Sequence, residues 1–354
     1  TILTAMLLFC FFRSIGTSGV QPWLFDLIPE HLHARYFSTD MAVINVGGVI
    51  TLVFCSLTFT WLQPFSAFSA QYSYALLGAA LSVVGLSRLP AVPHPESFGA
   101  IRILKEGPKL LTRPSNFRRY LMLSLVWIVS GSAVVPFSVY YLKAEAGLSQ
   151  AVIVLFTAIQ SVGGIAGALI MKSRIDRLGI QRSFLIVLGL NLAVYIGWTL
   201  FIILTMRNPD LTRHMIYLLP VNYVLLGASG ATYFGAHWKY LAYVTENRRR
   251  ALKVAMHTAV VGLVTGFASI LWGLIFKKSG PVPAMNLHAF LAYYVFNILV
   301  QLALIPYVRH LKEPDPGILP ITHRYAMLRL RILTILPVLR RRNEDEEMEE
   351  QPNT

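Results

Sequence analysis

The sequence predicts an all-α, polytopic membrane protein of nine transmembrane helices, and three observations carry that expectation. Hydrophobic residues make up 55% of the 354 residues, charged residues only 14%, and the mean hydropathy is +0.57, whereas a soluble chain carries about a quarter charged residues. Apolar runs of about 20 residues, the length that crosses a bilayer, recur along the whole chain. The cations fall on alternate connections between those runs. The net charge of +14 belongs to that third pattern, because bilayer proteins concentrate Lys and Arg in cytoplasmic loops. It points to a membrane and not to nucleic acid.

The nine runs, marked off by their polar flanks, are 2–25, 39–62, 71–90, 119–142, 150–171, 183–205, 214–238, 252–276 and 287–308. The connections 26–38, 88–119, 172–182, 239–253 and 309–354 hold 25 of the 31 Lys and Arg. The intervening ones hold five, Lys143, Arg207, Arg213, Lys277 and Lys278, and Arg13 is the cation left over. This asymmetry predicts a plasma (cell inner) membrane protein with a cytoplasmic C-terminus. It also makes the first helix enter from outside, so a parent with both termini inside has an odd number of helices before Thr1. The chain opens without Met or a basic leader region and is expected to be a fragment. Four regions follow: a partial N-terminal half of three helices (1–90), a proline-containing cytoplasmic linker (91–118) with a short amphipathic helix near Ile101–Leu111, a C-terminal half of six helices (119–310), and a cytoplasmic tail (311–354). In the tail, leucines among arginines over 318–342 suggest a helix lying on the inner leaflet, and Glu344–Thr354 is acidic and expected to be disordered. Cys10 and Cys55 each sit in an apolar run and read as core residues.

One stretch occurs twice, 215 residues apart and without a gap. Ser14 pairs with Ser229, Thr17 with Thr232, Trp23 with Trp238, Arg35 with Arg250, Met41 with Met256 and Gly47 with Gly262. Each copy is an apolar helix ending near Trp, a polar turn carrying Arg, and a second apolar helix starting just before Met. Two apolar helices joined by a basic turn and repeated in parallel are the trace of a membrane protein built by duplication.

The first copy opens Arg13-Ser-Ile-Gly-Thr-Ser-Gly and continues into Pro29-Glu30 and Arg35; between the fifth and sixth runs stands Asp176-Arg-Leu-Gly-Ile-Gln-Arg182. These stretches resemble the fourth helix with its following loop, and the loop signature, of the major facilitator superfamily. Lys172 stands where that signature has Gly, and Ile180 and Gln181 replace basic residues. The resemblance covers the chain apart from its tail. It implies that the nine helices are the fourth to twelfth of a twelve-helix transporter, an incomplete bundle with two-fold pseudo-symmetry that moves a small solute by alternating access. It also implies that Arg35, Asp176, Arg177, Gly179, Arg182 and Arg250 belong to the cytoplasmic gate and loop signature, with Asp176 approaching the N-terminus of this chain's second helix, in the other half, near Ser38–Asp40. The first, fourth and seventh helices of this chain are then central and contact substrate.

Side-chain chemistry adds candidates. Arg13 lies mid-span, about 17 Å from either end of its helix at about 1.5 Å per residue; a cation at that depth faces a cavity or a structural partner. Pathway candidates in the fourth helix are Trp127, Ser130, Ser132, Pro136, Tyr140 and Tyr141; in the seventh they are Asn222, Tyr223, Ser229, Thr232, Tyr233 and His237. Such residues hydrogen-bond and stack on a polar solute, and interhelical packing uses the same alphabet. Every Asp and Glu falls in a loop, at a helix end (Asp26, Asp40) or in the tail, so a proton-coupled mechanism would draw on a residue outside this chain or on His237 or His257. Gly47, Gly48, Gly163, Gly164 and Gly167 read as helix-packing positions. The competing classes are an intramembrane serine hydrolase, since Gly16-Thr17-Ser18-Gly19 spells GxSG and His237 could serve Ser18, and a non-transporting receptor or scaffold. Enzymatic activity is not expected, since Ser18 and His237 lie in corresponding helices of two repeats. The sequence offers no Walker motif, and no cofactor or metal site is expected. The partners it implies are a small-molecule solute, the lipid bilayer and, for driven transport, a coupling ion (H+ or Na+), with no nucleic acid.

Overall fold

The computed structural model describes residue 16 and residues 20–88, 107, 109–110, 112, 114–144, 146–207, 216–245, 250–276 and 287–312. All belong to one compact unit, Thr1–Pro314. Arg13, Ser18, most of the 91–118 linker and the tail from 313 lie outside the described residues.

The described residues are all helix and turn. Residues 20–27 end a helix, and a 3-10 turn (Glu30–Leu32) leads into α1 (His33–Trp61). The helix starts six residues before the predicted 39, which sets Asp40 about two turns inside it instead of at its end. Pro64 opens α2 (Pro64–Ser87), also earlier than predicted, because a proline at the first helical position costs no hydrogen bond and carries a helical φ. The next span is split into α3 (Asn116–Gly131) and α4 (Val134–Ala144). Pro136 explains the split: it has no N–H for the Ser132 carbonyl, four residues back. Then follow α5 (Gln150–Met171), the short α6 (Arg174–Leu178), α7 (Ile180–Arg207), α8 (Leu219–Thr245), α9 (Arg250–Phe276) and α10 (Leu287–Arg309). Gly179 closes α6 with φ +82°, a left-handed backbone that favours glycine.

Seven of these spans are long and apolar enough to cross a membrane among the described residues. They support an integral-membrane location and a polytopic helical bundle in contact with lipid. The outer helices present apolar surface suited to lipid: on α2, Phe65 is 84%, Leu76 72% and Leu81 73% exposed, and α9 exposes Leu263, Phe267 and Leu274. So many large apolar side chains would form an interaction surface in water. α8 is long enough but more polar than the seven. It lies at the centre, packed on α5, α7 and α1.

Two devices hold α8 there. Glycines let the backbones touch: a Cβ on Gly163 would overlap the Val224 carbonyl, and one on Gly227 would overlap the Gln160 carbonyl. Hydrogen bonds tie α8 to α7, from Asn222 Nδ2 to the Val194 carbonyl at 3.2 Å and from Ser229 Oγ to Asn191 Oδ1 at 2.6 Å. The packing role expected of Gly163, Gly164 and Gly167 is what the structure shows. Gly47 differs, since a Cβ there meets open space, and at Gly48 it would make only ordinary contact with Ser161.

Aromatic cores form toward both ends of the bundle. One gathers Phe25, Phe37, Tyr120, Phe184, Trp238 and Tyr240 beside the charged turns. The other gathers Tyr141, Trp198, Tyr223, Phe290, Tyr293 and Tyr294 toward the opposite end.

Candidate functional site

Between the two cores lies a cleft of about 440 Å³. Its lining comes from α3, α4, α5, α7, α8 and α9 and from the break between α3 and α4. Gln160, Asn191, Ser229 and Thr265 each stand near the middle of their helices, so the cleft sits roughly 15–20 Å from the helix ends at about 1.5 Å per residue. Trp127, Tyr195 and Tyr233 supply aromatic surface, and Trp127 packs on Tyr233 with ring centroids 5.0 Å apart. Amides and hydroxyls beside aromatic rings form the few-polar, mostly apolar lining of a small-molecule site.

The interrupted helix is part of this wall. α3 stops at Gly131, and Gly131 and Ser132 face the cleft. The carbonyls at the break are taken by side chains from other helices: Trp272 Nε1 donates to Val129 at 2.8 Å and Tyr293 Oη to Ser130 at 2.6 Å. Backbone that leaves the helical pattern at mid-membrane depth is tolerated where protein groups satisfy it or where it lines a cavity. Both conditions hold here.

Below the cleft, toward the charged turns, Tyr233 leads into a buried polar network. Its hydroxyl is 3.4 Å from His237 Nδ1, and the Tyr120 hydroxyl reaches the same nitrogen at 2.5 Å. His257 lies 5.1 Å from His237 between ring centroids, stacks on Tyr120 at an interplanar angle of 11°, and bonds Ser124 Oγ through Nε2 at 3.3 Å. Buried Tyr120, His237 and His257, with half-buried Tyr233 at the cleft edge, thus join α3, α8 and α9.

Below the network the two copies of the repeat meet. Trp238 packs on Phe25 (6.1 Å) and Phe37 (6.0 Å), and a Cβ on Gly235 would run into Ser38 Oγ and Ile175. Arg250, 6% exposed, sends Nη1 to Asp26 Oδ1 at 2.7 Å, with Glu30 at 3.6 Å from Nη2. The repeat mate Arg35 is exposed; positions 215 residues beyond Asp26 and Glu30 are Leu241 and Thr245, so neither acid recurs at its aligned position. Asp176 does not turn to the Ser38–Asp40 stretch: its carboxylate takes Lys239 Nζ at 2.6 Å. The neighbouring Ile175 makes the contact to α1 instead, packed with Ala34. Because α1 begins at His33, the Ser38–Asp40 stretch lies inside the helix, where backbone N–H groups are already bonded, and Lys239 takes the carboxylate instead.

Of the residues the sequence singled out, the structure brings Trp127, Ser132, Ser229 and Tyr233 to the cleft and His237 to the network beneath. Ser130 is buried with its hydroxyl on the Trp127 carbonyl, and Thr232 bonds back to Ala228. Asn222 is spent on α7, Tyr223 stacks on Phe156, and Tyr141 stacks on Phe290 within the second core. Tyr140, Arg177 and Arg182 are exposed. Gln160, Asn191, Tyr195 and Thr265 were not anticipated. For Gln160 and Asn191 a signal existed, since an amide in the middle of an apolar run needs a partner or a cavity. No family model and no curated protein matches the chain.

Proposed function

We propose that the chain is a secondary transporter of the major facilitator type, which carries a small solute by alternating access. The mid-span cleft carries this reading. It is a mostly apolar, aromatic-lined cavity with a few polar groups at half the depth of the bundle, walled by an interrupted helix, as expected of a carrier binding site. The layer of Trp238, Phe25, Phe37 and the Arg250–Asp26 pair closes one side of it, and the charge asymmetry assigns that side to the cytoplasm. Trp127 and Tyr233 stack on the solute, while Gln160, Asn191, Ser229 and Thr265 give it hydrogen-bond partners. The duplicated helices supply two arrangements related by rotation about an axis along the membrane normal.

The test begins with a thermal-shift screen of sugars, organic acids, peptides and amphiphilic cations against the purified full-length protein, since a ligand binding the folded state raises its Tm. Uptake of each stabilising solute into proteoliposomes is then measured. Saturable uptake that Gln160→Ala and Asn191→Ala reduce supports transport. Stabilisation without any flux favours a receptor, and hydrolysis of the solute favours an enzyme.

A further inference from the structure

A second pocket, of about 320 Å³, lies where the start of α3 meets the end of α10. Arg119, His310 and Lys312 line it with Asn116 and Tyr307, and no carboxylate does so among the described residues. We propose that it holds the phosphate of an anionic phospholipid of the inner leaflet. The occupant is a phosphate-bearing anion by charge, and the surroundings make it a lipid.

The pocket is built to stay open and positive. Ser115 caps α3, its hydroxyl accepting from Arg118 N–H, so the positive end of a 16-residue helix points to this region. Arg118 turns its guanidinium to the Thr112 carbonyl, while Arg119 lines the pocket. Tyr307 Oη donates to the Arg119 carbonyl at 2.7 Å, and Gln181 Nε2 to the Leu311 carbonyl at 2.7 Å. These bonds fix the ends of α3 and α10 on either side of the cavity.

The helix faces above the pocket decide between lipid and free anion. On α3, Arg119 shares a stripe with Met122 (40% exposed) and Val126 (47%), at helical spacings of three and four. On α10, Leu302 (48%) and Leu299 (60%) form a second exposed apolar stripe, and His310 stands in the turn just past the helix. Two exposed apolar stripes therefore rise from one cationic pocket, a fit for acyl chains above and a headgroup below. Basic pockets between membrane helices on the cytoplasmic side suit anionic headgroups in this way. The site shares none of its lining with the cleft, and it depends on the membrane orientation but not on what is transported.

The test uses the full-length protein in neutral detergent, given equimolar phosphatidylglycerol and phosphatidylcholine, with retained lipid read by mass spectrometry. One phosphatidylglycerol is expected to be held in preference to phosphatidylcholine. Arg119→Gln and Lys312→Gln should each weaken it roughly fivefold, and the pair roughly 30-fold. Both side chains are exposed, so the fold should survive, and an unchanged Tm without added lipid checks this. Lys143→Gln, at the opposite end of the bundle, should leave retention unchanged. Equal retention of both lipids, or unchanged retention in the double variant, would overturn the proposal. Displacement of phosphatidylglycerol by an equal concentration of glycerol phosphate would overturn it as well, by showing a soluble-anion site.

Discussion

Arg250 offers the sharpest test of the sealed side. Exposed ion pairs contribute about 0–1 kcal/mol, whereas removing one partner of a buried pair costs roughly 3–5 kcal/mol. The Arg250–Asp26 pair lies between these limits, with side chains 6% and 27% exposed. Arg250→Gln should therefore cost the sealed arrangement about 2 kcal/mol. Glu30, 80% exposed and 3.6 Å away, should contribute little, so Glu30→Gln should be nearly silent while Asp26→Asn approaches the Arg250→Gln effect. If the pair forms only when this side is closed, about 2 kcal/mol shifts the closed-to-open ratio roughly 30-fold, since each 1.4 kcal/mol is a factor of ten. The assay is labelling of a single cysteine at Ser132 in the cleft by an impermeant maleimide added to the cytoplasmic face, with Cys10 and Cys55 replaced by Ser. Labelling should accelerate by one to one and a half orders of magnitude in Arg250→Gln. Unchanged labelling in a variant with normal Tm would refute the gating role. A lowered Tm with unchanged labelling would show a tie that persists in both states.

Other perturbations separate packing from function. Gly227→Ala must push a methyl group into the Gln160 backbone and should cost roughly 1–3 kcal/mol or more, visible as a lower Tm in detergent; Gly47→Ala, facing open space, should change stability by no more than about 0.5 kcal/mol. Tyr120→Phe leaves the His237 ring short of its closest partner in a buried site and should cost about 1–3 kcal/mol, whereas a surface tyrosine such as Tyr217 replaced by Phe should show no Tm change. Pro136→Ala returns an N–H to the Ser132 carbonyl, so thermal stability should hold or rise while flux falls; equal flux would show that the interrupted helix is not needed for transport. Arg13→Ala should abolish flux in protein that still folds, and loss of folded protein without a separable flux defect would make Arg13 a structural contact.

The spans were legible because bilayer solvation acts on every residue in a run, so length and composition alone mark a helix. Their ends were less so. Pro64 moved the start of α2 earlier because a helix-opening proline looks like a loop residue in a hydropathy profile. α1 took in Asp40 for a different reason: one carboxylate near a helix start is compatible with either boundary. The site was legible in part, and the division follows helix periodicity. Trp127 and Tyr233 were visible as aromatic residues on helices expected to be central. Tyr141 and Tyr223 were visible in the same way, yet they point into the second core, since neighbours along a helix face different directions. Composition cannot choose between those faces; the partner helix does. Pairing across the chain was the least legible feature. The repeat identified Arg250 through its match to Arg35, but Asp26 and Glu30 have no acidic mates in the second copy. Duplication set two arginines in equivalent turns; among the described residues Arg250 is buried and pairs with Asp26, while Arg35 is exposed. The Arg250–Asp26 pair therefore uses an acid that the second copy does not repeat at its aligned position, which the likeness of the copies could not supply.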